Sequence, residues 1–273
     1  MGKDDGAAAP VLFNKTFEYV KCINLKRRPD RWQAFRSQQV PTTLFRSTNK
    51  RKVERVDAVD GNLLTPDTVP STDCQIVWDA SQNAKYDPNI RPPMMKQCTM
   101  GEVGCTLSHV KLWKELALSV SASSAGDESM LILEDDAIFH PTFSSSFAYM
   151  WKLVPKDWDI FYLGFCNVGP ITPIIQQSFP SSQEEGSSDN LTTTVSIFRP
   201  SYGFYTHAYA LRRKAAQALV SQHLPVVGPI DTWLADNAWF GLNVYCGVIG
   251  RSTCIIGQQR KDLKVDIVHS AHH

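Results

Sequence analysis

The chain is 273 residues long, 43% hydrophobic and 20% charged, with a formal net charge of +1. That balance excludes a disordered or fibrous chain. It also gives no footing for nucleic acid, so a phosphate-bearing ligand has to be held by a few placed cations or by a metal ion. The length suits one large α/β domain, since two halves would each be short of core. We divide it into a flexible stretch at residues 1–17 and a domain at 18–273. The seven cysteines form no C-x-x-C pair and are odd in number, which points to free thiols rather than a zinc cluster or a complete disulfide framework. The first twenty residues are too charged for a signal peptide, and no apolar run approaches the roughly 18 residues that span a bilayer. The expected setting is therefore cytoplasmic, with no transmembrane segment, and the sequons at Asn14 and Asn190 are incidental.

In chain order, YVKCINL at residues 19–25 is a short apolar run rich in β-formers, followed by the basic loop KRRPDRW and a helix. Residues 41–60 end in RVDAVDG, a second strand running into a turn. Residues 61–100, rich in Pro, Asp, Asn and Thr, form an irregular lobe. From Gly101, GEVGCTLSHVKLWKELALS sets Val103, Leu107 and Val110 against Lys111 and Lys114 as an amphipathic helix. After a loop of small polar residues, MLILEDDAIF predicts a buried strand with carboxylates at its carboxyl end. A helix through residues 147–153, a buried strand at 159–163 and a mobile Ser/Glu/Gly-rich stretch at 178–190 come next. GFYTHAYAL is then a strand, RRKAAQALVSQ a helix, IDTWLADNAW a helix with Asp231 in its first turn, and VYCGVIG a last strand. This alternation predicts an α/β fold, a mostly parallel sheet flanked by helices.

The chemistry concentrates at Glu134, Asp135 and Asp136. Three adjacent carboxylates repel one another at the end of a buried strand, and a divalent cation relieves that repulsion. Side chains alternate along a strand, so Glu134 and Asp136 are expected on one face, sharing a metal or its waters, with Asp135 turned elsewhere. An oxygen-only shell suits Mg²⁺ or Mn²⁺, completed by substrate phosphates. Ligands of open α/β sheets gather outside the carboxyl ends of strands, where the basic loop also lies, so Lys26, Arg27, Arg28 and Arg31 can approach a diphosphate from the other side. Taken singly, an acidic turn in solvent and a solvated basic face are the plain alternatives. The chain has no Walker A loop, no G-x-G-x-x-G after a strand and no H-E-x-x-H, so the common nucleotide and zinc routes are missing.

Seven segments in order carry a resemblance: residues 22–31 (CINLKRRPDR), 57–61 (DAVDG), 101–113 (GEVGCTLSHVKLW), 132–136 (ILEDD), 159–164 (DIFYLG), 206–211 (THAYAL) and 230–234 (IDTWL). Together they resemble glycosyltransferase family 25, which includes lipopolysaccharide-modifying enzymes and procollagen galactosyltransferases. In length and N-terminus the chain looks more like the lipopolysaccharide-modifying members. The resemblance implies a single-domain GT-A fold, a UDP-sugar donor, Mn²⁺ (or Mg²⁺), and inverting transfer to a hydroxyl of a glycan or protein. Galactose is the sugar the family most often implies.

Carried onto this sequence, the resemblance makes Asp136 the leading metal ligand with Glu134 and Asp135 around it, in the place of an Asp-x-Asp motif. Which two of the three touch the metal stays open. Asn24, Arg27, Arg28, Arg31, Asp57, Ser108, His109 and Asp135 are expected around the donor. Glu102, Cys105 and His109 share one helix face that can line its pocket. His269, with His207 as the other candidate, is the expected late-chain ligand to the metal or diphosphate. One-step inversion needs a carboxylate free of the metal to take the acceptor proton, and Asp231 is that expected base, with Asp236 in reserve. The lobe at 61–100 and the loop at 178–192 are expected to shape the acceptor side. A protein of the same fold that binds nucleotide sugar or glycan without catalysis is the alternative.

Overall fold

In the computed structural model, the residues described are 16–44, 52–82, 94–119, 128–167, 172–180, 192–200, 203–237 and 241–259. The apolar runs read from the sequence become the inner strands. β1 is Tyr19–Asn24, and α1 (Pro29–Ser37) opens on a proline whose fixed φ suits a first helical turn. β2 (Glu54–Asp57) leads into the lobe, whose regular pieces are three single-turn 3-10 helices and three short strands, β3 (Cys74–Gln75), β4 (Val77–Asp79) and β5 (Met95–Gln97). Then follow α2 (Met100–Leu118), β6 (Ser129–Glu134), β7 (Ala137–Phe139), α3 (Phe143–Leu153), β8 (Ile160–Asn167), β9 (Ile175–Pro180) and β10 (Thr192–Phe198). The chain continues with β11 (Gly203–Arg212), α4 (Arg213–Ala218), β12 (Val226–Val227), α5 (Ile230–Asn237), β13 (Val244–Ile249), β14 (Thr253–Cys254) and β15 (Ile256–Gln258).

The central sheet runs β2-β1-β6-β11-β8-β13-β10-β9, with β14 paired to β13. Its inner strands bury both faces, and alternate residues belong to different layers. Leu131, Leu133, Phe161, Leu163, Ala208 and Ala210 pack with Phe35 of α1 and with Phe143, Phe147 and Met150 of α3. Their neighbours Met130, Ile132, Ile160, Tyr162, Tyr209 and Leu211 pack with Trp113 and Leu116 of α2, Ala215 and Ala216 of α4, and Trp233 and Leu234 of α5. Burying each such large side chain contributes about 1.5–3 kcal/mol. The expected α/β class with helices on both faces is what forms.

Strand direction departs from the mostly parallel expectation. In the central sheet β1–β2, β1–β6 and β8–β13 are parallel, but five of its eight pairings among the described residues are antiparallel. Two of the five come from β11, which inserts between β6 and β8 and runs against both, and the other three from β9, β10 and β14 at the far edge. Alternating apolar runs reveal that strands and helices take turns, not from which end a late strand enters the sheet. The β9–β10 hairpin was also not expected, because IQQSFP and TTTVSIF carry many polar residues. Of the stretch expected to be mobile, residues 181–190 lie outside the described residues.

α2 is not amphipathic as expected. Val103 and Leu107 pack into the lobe against Cys74, Trp78 and Cys98, while Val110, Leu112 and Trp113 pack on the sheet. The helix runs between two cores, so most of its circumference is buried. Phe17, one residue before the expected domain start, is fully buried and stacks edge-on to Trp151. All seven cysteines are free. Among the described residues, no helix is long and apolar enough to cross a membrane.

Candidate active site

Parallel pairing of β2, β1 and β6 brings their carboxyl ends to one edge, with Ile23 opposite Glu134 and Asn24 opposite Asp57. The chain leaves all three strands there, so the loops that follow converge, and the first turns of α2 and α5 close the sides. The cleft between them, a cavity of about 180 Å³ open at its mouth, is lined by Arg27, Arg31, Ser108, His109, Glu134, Asp135, Asp136 and Asp231.

The three acids differ in how they are held. β6 ends at Glu134, and Asp135 and Asp136 sit in the turn before β7, where strand alternation no longer applies. The expectation that Asp135 faces away is thereby corrected: all three line the cleft, and Arg31 lies 3.2 Å from Asp135 Oδ1 and 3.3 Å from Asp136 Oδ2. Asp135 Oδ2 also accepts from Asn24 Nδ2 at 2.6 Å, so this carboxylate is engaged at both oxygens. Asp136 Oδ2 accepts from Gln258 Nε2 at 3.0 Å, while its Oδ1 is buried with no hydrogen bond. Burial, then the Glu134 charge, push the Asp136 carboxyl up to about 7 in spite of Arg31. Burial likewise raises Asp135 above the usual range. Burial works the same way on Glu134, but the facing His109 ring and the Thr206 hydroxyl outweigh it and hold this carboxyl below the usual range.

His109 comes from the third turn of α2 and is wholly buried. Its Nδ1 lies 3.0 Å from the Tyr209 hydroxyl, which also accepts the Trp113 indole N–H at 2.8 Å. This fixes the ring so that Nε2 faces the cleft, 3.5 Å from Glu134 Oε1. Glu134 Oε1 in turn accepts from Thr206 Oγ1 at 2.8 Å.

Asp231, in the first turn of α5, accepts backbone N–H groups from Tyr205 at 3.1 Å and Thr232 at 2.8 Å, one on each oxygen. A carboxylate has about four lone-pair sites, so each oxygen keeps one for a further donor. Tyr205 stands at φ 74°, a conformation costly for a non-glycine residue that clusters at functional sites. It also lines the cleft.

Two of the recognised sequence motifs meet each other at the cleft wall. A Cβ on Gly104 would fall 2.6 Å from the Val59 carbonyl oxygen, and one on Gly61 would fall 2.2 Å from that of Met100. The glycines of DAVDG and GEVGC thus allow the loop after β2 to lie directly on the start of α2. Ser108 locks this contact: its Oγ accepts from Val59 N at 2.8 Å and donates to the Gly104 carbonyl at 2.7 Å. Ser108 is therefore a clamp on the cleft wall. Ser108→Ala should cost about 1–3 kcal/mol in urea unfolding by leaving the Val59 N–H unsatisfied. A loss below about 0.5 kcal/mol would remove this role.

Several expected residues lie elsewhere. Asn24 is buried and spent on Asp135, the Arg28 carbonyl and Arg55 Nε, so it supports the acid turn from behind. Arg28 turns to Asp30, 2.7 Å away, and Asp57 to Arg55, 2.8 Å away. Neither they nor the exposed Lys26 line the cleft. Arg27 does line it, paired with Asp60 at 2.7 Å. His207 is a core histidine whose Nε2 meets the Ile256 carbonyl at 3.1 Å, and Asp236 is not on the cleft wall. His269 lies outside the described residues. The sequence reading missed Thr206, Tyr205 and Gln258. Thr206 was legible in the THAYAL motif, whereas the φ of Tyr205 and the reach of Gln258 across the chain leave no local signal.

This geometry, a sheet with helices on both faces and an acidic cleft at the strand ends beside a basic loop, defines a GT-A-type domain. The sequence profile of Glycosyltransferase family 25 (LPS biosynthesis protein) matches residues 17–234, and the chain belongs to that family. It is 27% identical over 223 residues to Procollagen galactosyltransferase 2 of Mus musculus, covering 80% of this chain and 30% of that protein. Procollagen galactosyltransferase 1 of Danio rerio matches at 27% over 222 residues, covering 80% and 31%. Inactive glycosyltransferase 25 family member 3 of Homo sapiens matches at 28% over 223 residues, again 80% and 31%. The chain thus spans about a third of the length of these curated relatives.

Proposed function

We propose that the protein is an active, metal-dependent inverting glycosyltransferase that moves a hexose from a UDP-sugar to a hydroxyl of a glycan or protein. Relatives named as galactosyltransferases suggest galactose. Since a relative named inactive matches at the same level, the reading rests on the site. Its carrying observation is the buried, unpartnered Oδ1 of Asp136 beside Glu134, in a turn where burial and like charge push the Asp136 carboxyl up to about 7. Such a group fits a hard divalent cation and is poorly served without one.

Asp136 and Glu134 would hold the cation, with Asp135 kept in place by Asn24 and Arg31. When bound, the cation supplies Lewis-acid stabilisation of the diphosphate leaving group. Arg27, on the cleft wall and half exposed, offers a guanidinium to the donor phosphates. Asp231 is the base: two backbone N–H groups orient its carboxylate, and a remaining lone pair takes the proton of the acceptor hydroxyl as the anomeric carbon is attacked. The strained Tyr205 sets the strand end against which that carboxylate rests.

Incubating the protein with a panel of UDP-sugars and Mn²⁺ should release UDP from one donor. Chelator and Asp231→Asn should each suppress that release by about 10²-fold or more. Release that persists unchanged in chelator would end the metal-dependent reading. One observation favours the binding-only alternative: Arg31 already places a cation across Asp135 and Asp136. Donor binding with no turnover on any acceptor tried would select it.

A further inference from the structure

The acids and Asp231 leave part of the cleft wall unused. Cys105 Sγ, His109 Nε2 and a Glu134 carboxylate oxygen lie within 4.8 Å of one another. His109 Nε2 is fully buried and makes no hydrogen bond, and it stands 3.5 Å from Glu134 Oε1. Bond lengths of about 2.3 Å to sulfur and about 2.0 Å to nitrogen and oxygen give a tetrahedral zinc site ligand-to-ligand edges of roughly 3.3–3.6 Å. The nitrogen–oxygen edge is thus already in place, and the two edges to Cys105 Sγ have to close from at most 4.8 Å.

We propose that Cys105, His109 and Glu134 form a zinc site, three protein ligands with a fourth position open to the cleft. One sulfur, one imidazole nitrogen and one oxygen favour Zn²⁺ over the hard Mn²⁺ or Mg²⁺, which prefer oxygen alone. The ligand spacing agrees, since residues 105 and 109 sit one helical turn apart on α2 and project side by side. A metal-bound histidine usually gives its other N–H to an acceptor, and the Tyr209 hydroxyl oxygen stands 3.0 Å from His109 Nδ1 for that purpose. On binding, the Cys105 thiol surrenders its proton to the buffer and its sulfur bonds the metal. Where the reading of the preceding section holds, this site shares Glu134 with the Mn²⁺ of the reaction, so zinc occupancy excludes the productive ion and inhibits.

The test needs no sugar transfer. Co²⁺ added to the reduced, metal-free protein should bind at one equivalent with a thiolate-to-cobalt charge-transfer band in the near ultraviolet, and Zn²⁺ should displace it. Cys105→Ser should abolish the band, while Cys74→Ser, which alters a buried thiol of the lobe, should keep it. His109→Gln and Glu134→Gln should each weaken Zn²⁺ by roughly 100-fold or more in competition with a coloured chelator, and Tyr209→Phe by roughly 10-fold. Absence of the band in the wild type, or its survival in Cys105→Ser, overturns the site. The wild-type band and the glutamine variants decide the matter even where Cys105→Ser does not fold. Failure of UDP release would leave this result standing, and failure of zinc binding would leave the transferase reading standing.

Discussion

Asp136→Asn is expected to lower UDP release by about 10²–10³-fold and, in chelator, to make the protein more stable than wild type at pH 8. Both effects come from one carboxylate. Its folded pKa of about 7 stands well above the ordinary 3.8, so between those values the native state holds more protons than the unfolded chain. The stability this contributes is fully present below about pH 4 and is lost as pH rises through about 7, amounting to something of order 4 kcal/mol. An amide has no such slope. Urea unfolding of both proteins in chelator at pH 5 and pH 8 should show a fall in the wild type that the variant lacks in large part. Equal falls would mean that Asp136 is not the carboxylate poorly served by the apo fold, and the argument for a cation there would lose its main support. Mn²⁺ should reverse the wild-type loss at pH 8, because a ligand bound only by the native state stabilises it.

The second large effect is structural. Trp113 has no exposed surface, stacks on Trp233 at 6.0 Å between ring centroids, and donates its indole N–H to Tyr209. Trp113→Ala should cost about 3–5 kcal/mol, the sum of lost burial and the cavity left between α2, α5 and the sheet. Trp113→Phe keeps a ring but removes the donor to the Tyr209 hydroxyl, and should cost about 1–3 kcal/mol. Guanidinium unfolding reads both. A change below 1 kcal/mol for the alanine variant would contradict the packing of α2 on the sheet. Because the Tyr209 hydroxyl also orients His109, the phenylalanine variant should disturb the cleft more than its stability alone suggests.

What the sequence disclosed depended on whether the signal was local. The inner strands were legible as apolar runs, and Glu134 to Asp136 stood out because three carboxylates at the end of such a run have no packing reason to be there. Asp231 was legible as an acid in the first turn of a helix. Asn24, Arg28 and Asp57, expected around the donor, do not line the cleft, since a motif records that a residue type is required, not whether a ligand or another part of the chain requires it. Asn24 is required by Asp135, Gly61 by the backbone at the start of α2, and Gly104 by the backbone of the loop after β2. The amphipathic reading of α2 failed because apolar spacing shows one buried face, whereas this helix has a core on either side. Strand direction failed for a related reason, since it depends on which neighbours a strand finds and not on its own composition.

The placement of β11 also sets the timetable on which the molecule can be made. β6 emerges early and pairs with β1 on one side, but its other neighbour is β11. Until Arg212 has left the ribosome, the apolar edge Met130–Leu133 has no native strand to receive its hydrogen bonds, and β8 waits on the opposite side of the same gap. At ordinary synthesis rates that interval is on the order of ten seconds. An open, apolar strand edge over that span is where a nascent chain joins wrong partners, so the yield of native protein should fall most steeply with substitutions that slow the arrival of β11, long before they weaken the finished fold.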